Sequence, residues 1–185
     1  MGEGLRPFML RTMLILVLGL LSGTAWAEST NPPLSPPELI PATDHNPEHL
    51  TMFVTHFFRW WVDNYVRYFE TEPHTKERAE ILKEKEEAIK KNVTPLLWYN
   101  YKNFDGLEEP DPIFPLGDFE DSWRNTAFSQ IVTLQDHTAT LIVSFPRNKD
   151  YPPPYDKPFQ FRILLQTYQG TWRIGEVRDI MNRYP

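Results

Sequence analysis

The feature that most limits the fold is a change of period along the chain. Between Leu50 and Tyr68, apolar residues recur every three or four positions; beyond Ala127 they recur every second one. The first rhythm is that of a helix with one buried stripe, the second that of half-buried strands. Leu50, Phe53, Val54, Phe57, Phe58, Trp61, Tyr65 and Tyr68 make up the stripe. Asn46-Pro47 supplies an N-cap and a first-turn proline, so a helix is predicted from there to about Glu70. Thr51, Thr55, Arg59, Asp63 and Arg67 lie off the stripe's centre, whereas Asn64 falls inside it. Trp60 is displaced to one side, where it either adds an exposed ring or closes the edge of the core.

Two further helices follow. Thr75 can cap one over roughly Lys76 to Lys91, with a thin apolar edge of Ile81, Leu82, Ala88 and Ile89 under Lys and Glu, the pattern of a solvated outer layer. Thr94-Pro95 starts a short one through Leu96, Leu97, Trp98 and Tyr101. The stretch Asn103 to Trp123 contains seven carboxylates, among them Asp105, Asp118, Glu120 and Asp121, and no basic residue. Its prolines forbid regular structure, while Phe104, Ile113, Phe114, Leu116 and Phe119 give it reason to pack down.

Period two then sets in. Phe128, Val132 and Leu134 alternate with Ser129 and Thr133, and Ala139, Leu141, Val143 and Phe145 with Thr138, Thr140 and Ser144. Gln135-Asp136-His137 between these runs reads as a hairpin turn. Phe159, Phe161, Ile163 and Leu165 mark a third strand, and Gln169-Gly170 turns into a fourth through Trp172 and Ile174. Alternation slips at Gly175, which predicts a bulge. Helices followed by an antiparallel meander give an α+β class: N-terminal helices packed on a curved antiparallel four-stranded sheet.

Ahead of the first helix, Arg6 and Arg11 precede an apolar run from Met13 to Leu21 and the small-residue site Ala25-Trp26-Ala27. Residues 1–27 therefore read as a signal peptide, its apolar run too short to cross a bilayer, and no stable membrane insertion is expected after cleavage near Ala27. Without Arg6, Arg11 and Glu3, the chain's 19 Lys and Arg become 17 and its 25 Asp and Glu become 24, so the mature charge is near −7. Residues 28–45 hold Pro32, Pro33, Pro36, Pro37 and Pro41 with no apolar period and read as an extended tether; 46–185 is then a single domain. An exported chain of this size with no cysteine suits a bacterial periplasm.

Composition also limits chemistry. Thiol catalysis, iron–sulfur clusters and cysteine-based zinc sites are excluded. The acidic balance and the absence of a basic patch argue against nucleic acid as a partner. His45, His49, His56, His74 and His137 are scattered, with no HExxH and no serine elbow, so neither a metal nor a cofactor is expected. Asp118, Glu120 and Asp121 offer hard oxygens but no calcium-loop spacing; the plainer reading is that Asp118 or Asp121 caps a turn into Trp123. Asn64, inside the stripe, either orients a ligand in a pocket or bonds a backbone group in the core. The loop Arg147 to Lys157 carries Pro152, Pro153 and Pro154 between Tyr151 and Tyr155. Stiffened prolines lose little entropy on docking, and tyrosines are favoured at interface hot spots, so this is either a partner-binding loop or a long restrained hairpin connection.

The motif Asp111…Phe114 with Phe119…Trp123, followed by Gly170-Thr171-Trp172-Arg173-Ile174…Val177, resembles an uncharacterised family of small exported bacterial proteins and lipoproteins. That family has the nuclear transport factor two-like (cystatin-like) cone fold, and the resemblance spans residues 46–181. The lipoprotein cysteine is missing here, and the loop 147–157 is an addition of this chain. Some proteins of this kind are immunity proteins that shield the producer's cell wall from a secreted toxin. The resemblance thus implies a periplasmic, non-catalytic binding protein whose partner is a secreted hydrolase toxin; the loop and acidic segment read above offer Tyr151, Pro153, Tyr155, Asp118, Glu120 and Asp121 as the residues that would contact it. It also implies an alternative, a small-ligand-binding protein or weak enzyme using the cone cavity. Enzymes on this fold keep an acid–base pair inside the cone, and the residues here would be Asn64, Tyr65, Tyr68 and Trp98, with Asp111. Lacking a histidine or a clear buried carboxylate, that set gives general acid–base catalysis little to work with.

Overall fold

The computed structural model describes residues 32–104, 111–115, 120–147 and 157–180. Three helices come first: α1 (Pro47–Glu70), α2 (Lys76–Asn92) and α3 (Pro95–Lys102). Each begins as its sequence dictates. Asn46 Oδ1 accepts from Glu48 N–H, Thr75 Oγ1 from Arg78 N–H, and Thr94 Oγ1 from Leu97 N–H, with proline in the first turn of α1 and α3. A single turn, α4 (Trp123–Thr126), leads into β1 (Phe128–Leu134), β2 (Thr138–Phe145), β3 (Phe159–Tyr168) and β4 (Thr171–Asp179). The four strands form one open antiparallel sheet in the order β1-β2-β3-β4. The class is α+β, as the change of period requires.

Ala139, Leu141, Val143, Phe145, Phe159, Phe161, Ile163, Leu165, Trp172 and Ile174 face the helices and merge with the α1 stripe into one core. α1 is covered on more sides than its stripe demands. Trp60 and Val62 are fully buried, which settles Trp60 as a core ring. The off-centre polar row is a seam. Thr55 Oγ1 and Ser129 Oγ lie 2.7 Å apart, Ser129 Oγ donates to Thr51 O, and Arg59 Nε donates to Ala127 O. Asp63 accepts from Leu34 N–H at 3.0 Å and meets Arg124 at 3.6 Å.

Three expectations change. In β1, Phe128 and Val132 point outward, 48% and 56% exposed, while Ser129 is buried against α1. A register shift between Ile131 and Thr133 sets Val132 outside the pairing, and the hydroxyl pair with Thr55 makes a buried Ser129 affordable. The proline-rich stretch is extended but it is not a free tether. Leu34 and Ile40 pack on the core, Ala42 N–H donates to Gly170 O, and Trp172 N–H donates to Ile40 O. It thereby shields the outer edge of β4, where a proline that cannot donate is tolerated. The helix α2 is solvated outside its buried edge, but that edge holds Lys85 and Asn92 beside Ile81, Ala88 and Ile89.

The predicted bulge in β4 is present, with Gly175 skipped between the pairs Leu164–Glu176 and Leu165–Ile174. A Cβ on Gly175 would come within 2.3 Å of Gln166 Oε1, so the close approach suits glycine. The β3–β4 turn puts Gln169 and Gly170 at φ 48° and 77°, the left-handed pair that a two-residue hairpin needs. Among the described residues no helix is long and apolar enough to cross a membrane.

Candidate functional site

The acidic segment is pinned at its middle. Asp111 Oδ1 accepts from Ile113 N–H at 2.7 Å and Phe114 N–H at 3.0 Å, the local turn an aspartate makes when prolines bar a helix. This turn drives Ile113 and Phe114 inward, where both are buried. Phe114 stacks on Trp61 at 4.4 Å and lies edge-on to Phe145 and Phe161 at 5.3 and 5.4 Å, with Phe58 and Trp123 also against it. A residue of the loop thus fills the space between α1 and the sheet.

Trp61 also stacks on Tyr65 at 5.1 Å, and Lys85 from α2 reaches over both rings, its Nζ 4.4 Å from the Trp61 centroid and 5.1 Å from that of Tyr65. The ring faces partly replace the water that burial removes from this ammonium. Burial still lowers the Lys85 pKa from its ordinary value, with Asp111 opposing the shift. Burial likewise raises Asp111, against the pull of its two N–H donors and of Lys85. Tyr65 and Tyr101 are both raised, by burial first and then by the charge of Asp111. Lys85, Asp111, Tyr65 and Tyr101 therefore form one electrostatically coupled group where α1, α2, α3 and the acidic segment meet. Asp111, named with the pocket residues from the sequence, is thus a half-buried carboxylate beside Tyr65 and Tyr101.

Of those residues, Tyr65 belongs to this group, and Trp98 joins it through Tyr101, stacked at 5.8 Å. Asn64 and Tyr68 lie at the α1–α2 contact, and Tyr68 reaches the group only as the smallest of the influences that raise Tyr65. Asn64 is fully buried, its Nδ2 donating to Ile81 O at 3.4 Å while Oδ1 has no partner. Tyr68 lies beneath the Arg78 guanidinium, 4.0 Å from its ring centroid.

The two expected partner-binding segments share an anchor. Trp123 Nε1 donates to Pro146 O at 2.6 Å, and its ring meets Phe145 and Phe159 at 5.1 and 5.3 Å. The end of the acidic segment is thereby tied to the base of the loop that leaves β2 and re-enters at β3. Glu120 is half-buried and Asp121 exposed; their carbonyls accept from Trp123 and Arg124 N–H. Asp118, Tyr151, Pro153 and Tyr155 lie outside the described residues.

Sequence reasoning missed Lys85, although a lysine four residues after Ile81 and four before Ile89 stands in an apolar row. It also kept His45 and His137 apart. Both line an open groove of about 460 Å³ with Asp136, Thr167 and Tyr168, formed because the proline-rich stretch docks beside the hairpin turns. No cluster of three or more metal-ligating residues occurs among the described residues.

No family model matches the chain, and no curated protein does. Among solved structures, a chain of the type VI native effector–immunity complex from Ralstonia pickettii is similar, with 15% sequence identity and a TM-score of 0.46, over 76% of this chain and 100% of that one.

Proposed function

We propose that this chain is an exported, non-catalytic binding protein of the bacterial periplasm, and specifically an immunity protein that binds and inhibits a cell-wall-targeting secreted toxin. The observation that carries the reading is the Trp123 anchor, which roots the acidic segment and the tyrosine–proline loop side by side. Asp118, Glu120 and Asp121 would attract a cationic partner surface, and Tyr151, Pro153 and Tyr155 would supply its rigid aromatic contacts. Phe114 favours surface binding over the alternative of a ligand or substrate held inside a cone, since the interior is filled by the chain's own side chain. The succession of three helices and a four-stranded meander supports reading the fold as a nuclear transport factor two-like cone. The leader 1–27 would direct export.

The test is a pull-down from periplasmic extract and culture supernatant with the tagged chain 28–185, followed by mass spectrometry and an assay of cell-wall hydrolysis. A stoichiometric hydrolase, inhibited by the chain but not by the double variant Tyr151→Ala with Tyr155→Ala, is the expected result. A chain that elutes alone, or a bound hydrolase that keeps its full activity, overturns the reading.

A further inference from the structure

Among the described residues the helices cover one side of the sheet, and most of the other side is exposed or half-buried. Across its open face the register aligns Gln130, Ile142, Arg162 and Arg178 in one row, so that two arginines stand directly opposite each other on β3 and β4. Like charges in directly paired positions destabilise a sheet, and the chain as a whole is acidic, which makes the pair costly and locally conspicuous. Glu176 on the same face pairs with Arg178. Arg162 is exposed and has no carboxylate partner among the described residues. The two arginines line a depression of about 190 Å³ together with Thr140, Leu164 and Glu176.

We propose that this open face docks an acidic segment of a protein partner, with one partner carboxylate seated between Arg162 and Arg178. Planar guanidiniums bind carboxylates through paired N–H donors, and a second carboxylate here would neutralise the arginine that Glu176 leaves bare. The surroundings select a protein over a free anion. Ile142 and Leu164 are half-buried beside the pair and Phe128 is 48% exposed on the same face, offering apolar contact that an inorganic anion cannot use. The inference rests on the partner-binding reading only for who the partner is, and it adds a second surface, of opposite charge to the acidic segment.

The experiment is a titration of the isotopically labelled chain 28–185 with a blocked tetraglutamate peptide, followed by amide chemical shifts. Saturable shifts are expected at Thr140, Arg162, Leu164, Glu176 and Arg178, with affinity at least tenfold weaker in Arg162→Gln/Arg178→Gln and a melting temperature no lower than that of the parent chain. If the double variant fails to fold, the single variant Arg162→Gln, altered at an exposed side chain, must show the same weakening. Absent or non-saturating shifts, shifts that persist in the variant, or inorganic phosphate binding with equal affinity at the same ionic strength would each overturn the proposal. Because no toxin is needed, the two readings fail separately: peptide binding without toxin capture sinks only the immunity function, and toxin capture without peptide binding sinks only this surface.

Discussion

Asp111 is asked to be both a turn-forming acceptor and a half-buried charge, and these roles respond differently to pH. The turn needs only its Oδ1. Burial holds the carboxyl above its ordinary value of 3.8, so the folded chain binds that proton more tightly than the unfolded one. Its contribution to stability is therefore full below the unfolded value and is lost as pH rises through the folded one. Lys85 runs the other way: its pKa is lowered, so its contribution is full above the unfolded value of 10.5 and is lost as pH falls through the folded one. Asp111→Asn keeps the acceptor and removes the titration. Melting curves between pH 4 and 7 should show the parent chain losing ground to the variant as pH rises. A difference in melting temperature that stays constant over that range would show that burial does not act on Asp111 as argued.

Among the elements, the docked proline-rich stretch says most about how this sheet is protected. β1 is an edge blunted by the bulge at Val132, whereas β4 is covered, by Ile40 to Ala42 at one end and by the Thr94 N–H donating to Ile174 O further along. A chain begun at Thr43 keeps the Asp44–Asn46 cap but loses Leu34, Ile40 and four hydrogen bonds, those made with Asp63, Gly170, Trp172 and Asp44. Against a chain begun at Glu28 it should be destabilised by about 3 kcal/mol, summing two half-buried apolar side chains and the bonds after entropy. It should also aggregate through the bared β4 edge. Urea unfolding and light scattering check both; equal midpoints would mean that the stretch only rests on the sheet. This element was illegible in the sequence because it docks mainly through backbone groups, which leave no side-chain period. α1, its cap and the β4 bulge were legible because their signals are local. Ser129 was misread because the hydroxyl that makes its burial tolerable, on Thr55, lies 74 residues away. Site residues divide the same way: Tyr65, Trp98 and Asp111 stood out by type, but only the packing of α2 on α1 brings Lys85 over Trp61.

At the scale of the whole molecule, stability should be unevenly spread, because the layers are. β2 and β3 have a bonded neighbour on each side, and α1 is buried on most of its circumference. α2 buries only Ile81, Lys85, Ala88, Ile89 and Asn92 against the rest; its ion pairs, Arg67–Glu84 and Lys102–Glu86 to the neighbouring helices and Lys76–Glu80 and Lys83–Glu87 within it, are all at least partly exposed and so weak. Lys85 adds a buried charge at the one place where an apolar side chain would have held the helix more firmly. Opening α2 locally should therefore cost much less than unfolding the sheet. Native-state hydrogen exchange in low urea would then show the amides of β2, β3 and α1 on one isotherm with the slope of global unfolding, while those of α2 exchange earlier and with little dependence on urea. If α2 joined the global isotherm, the buried lysine would be clamping the helix rather than weakening it. Either way, a partner seated on the open face should slow exchange in β3 and β4 while leaving α2 unchanged, since α2 lies across the core from that face.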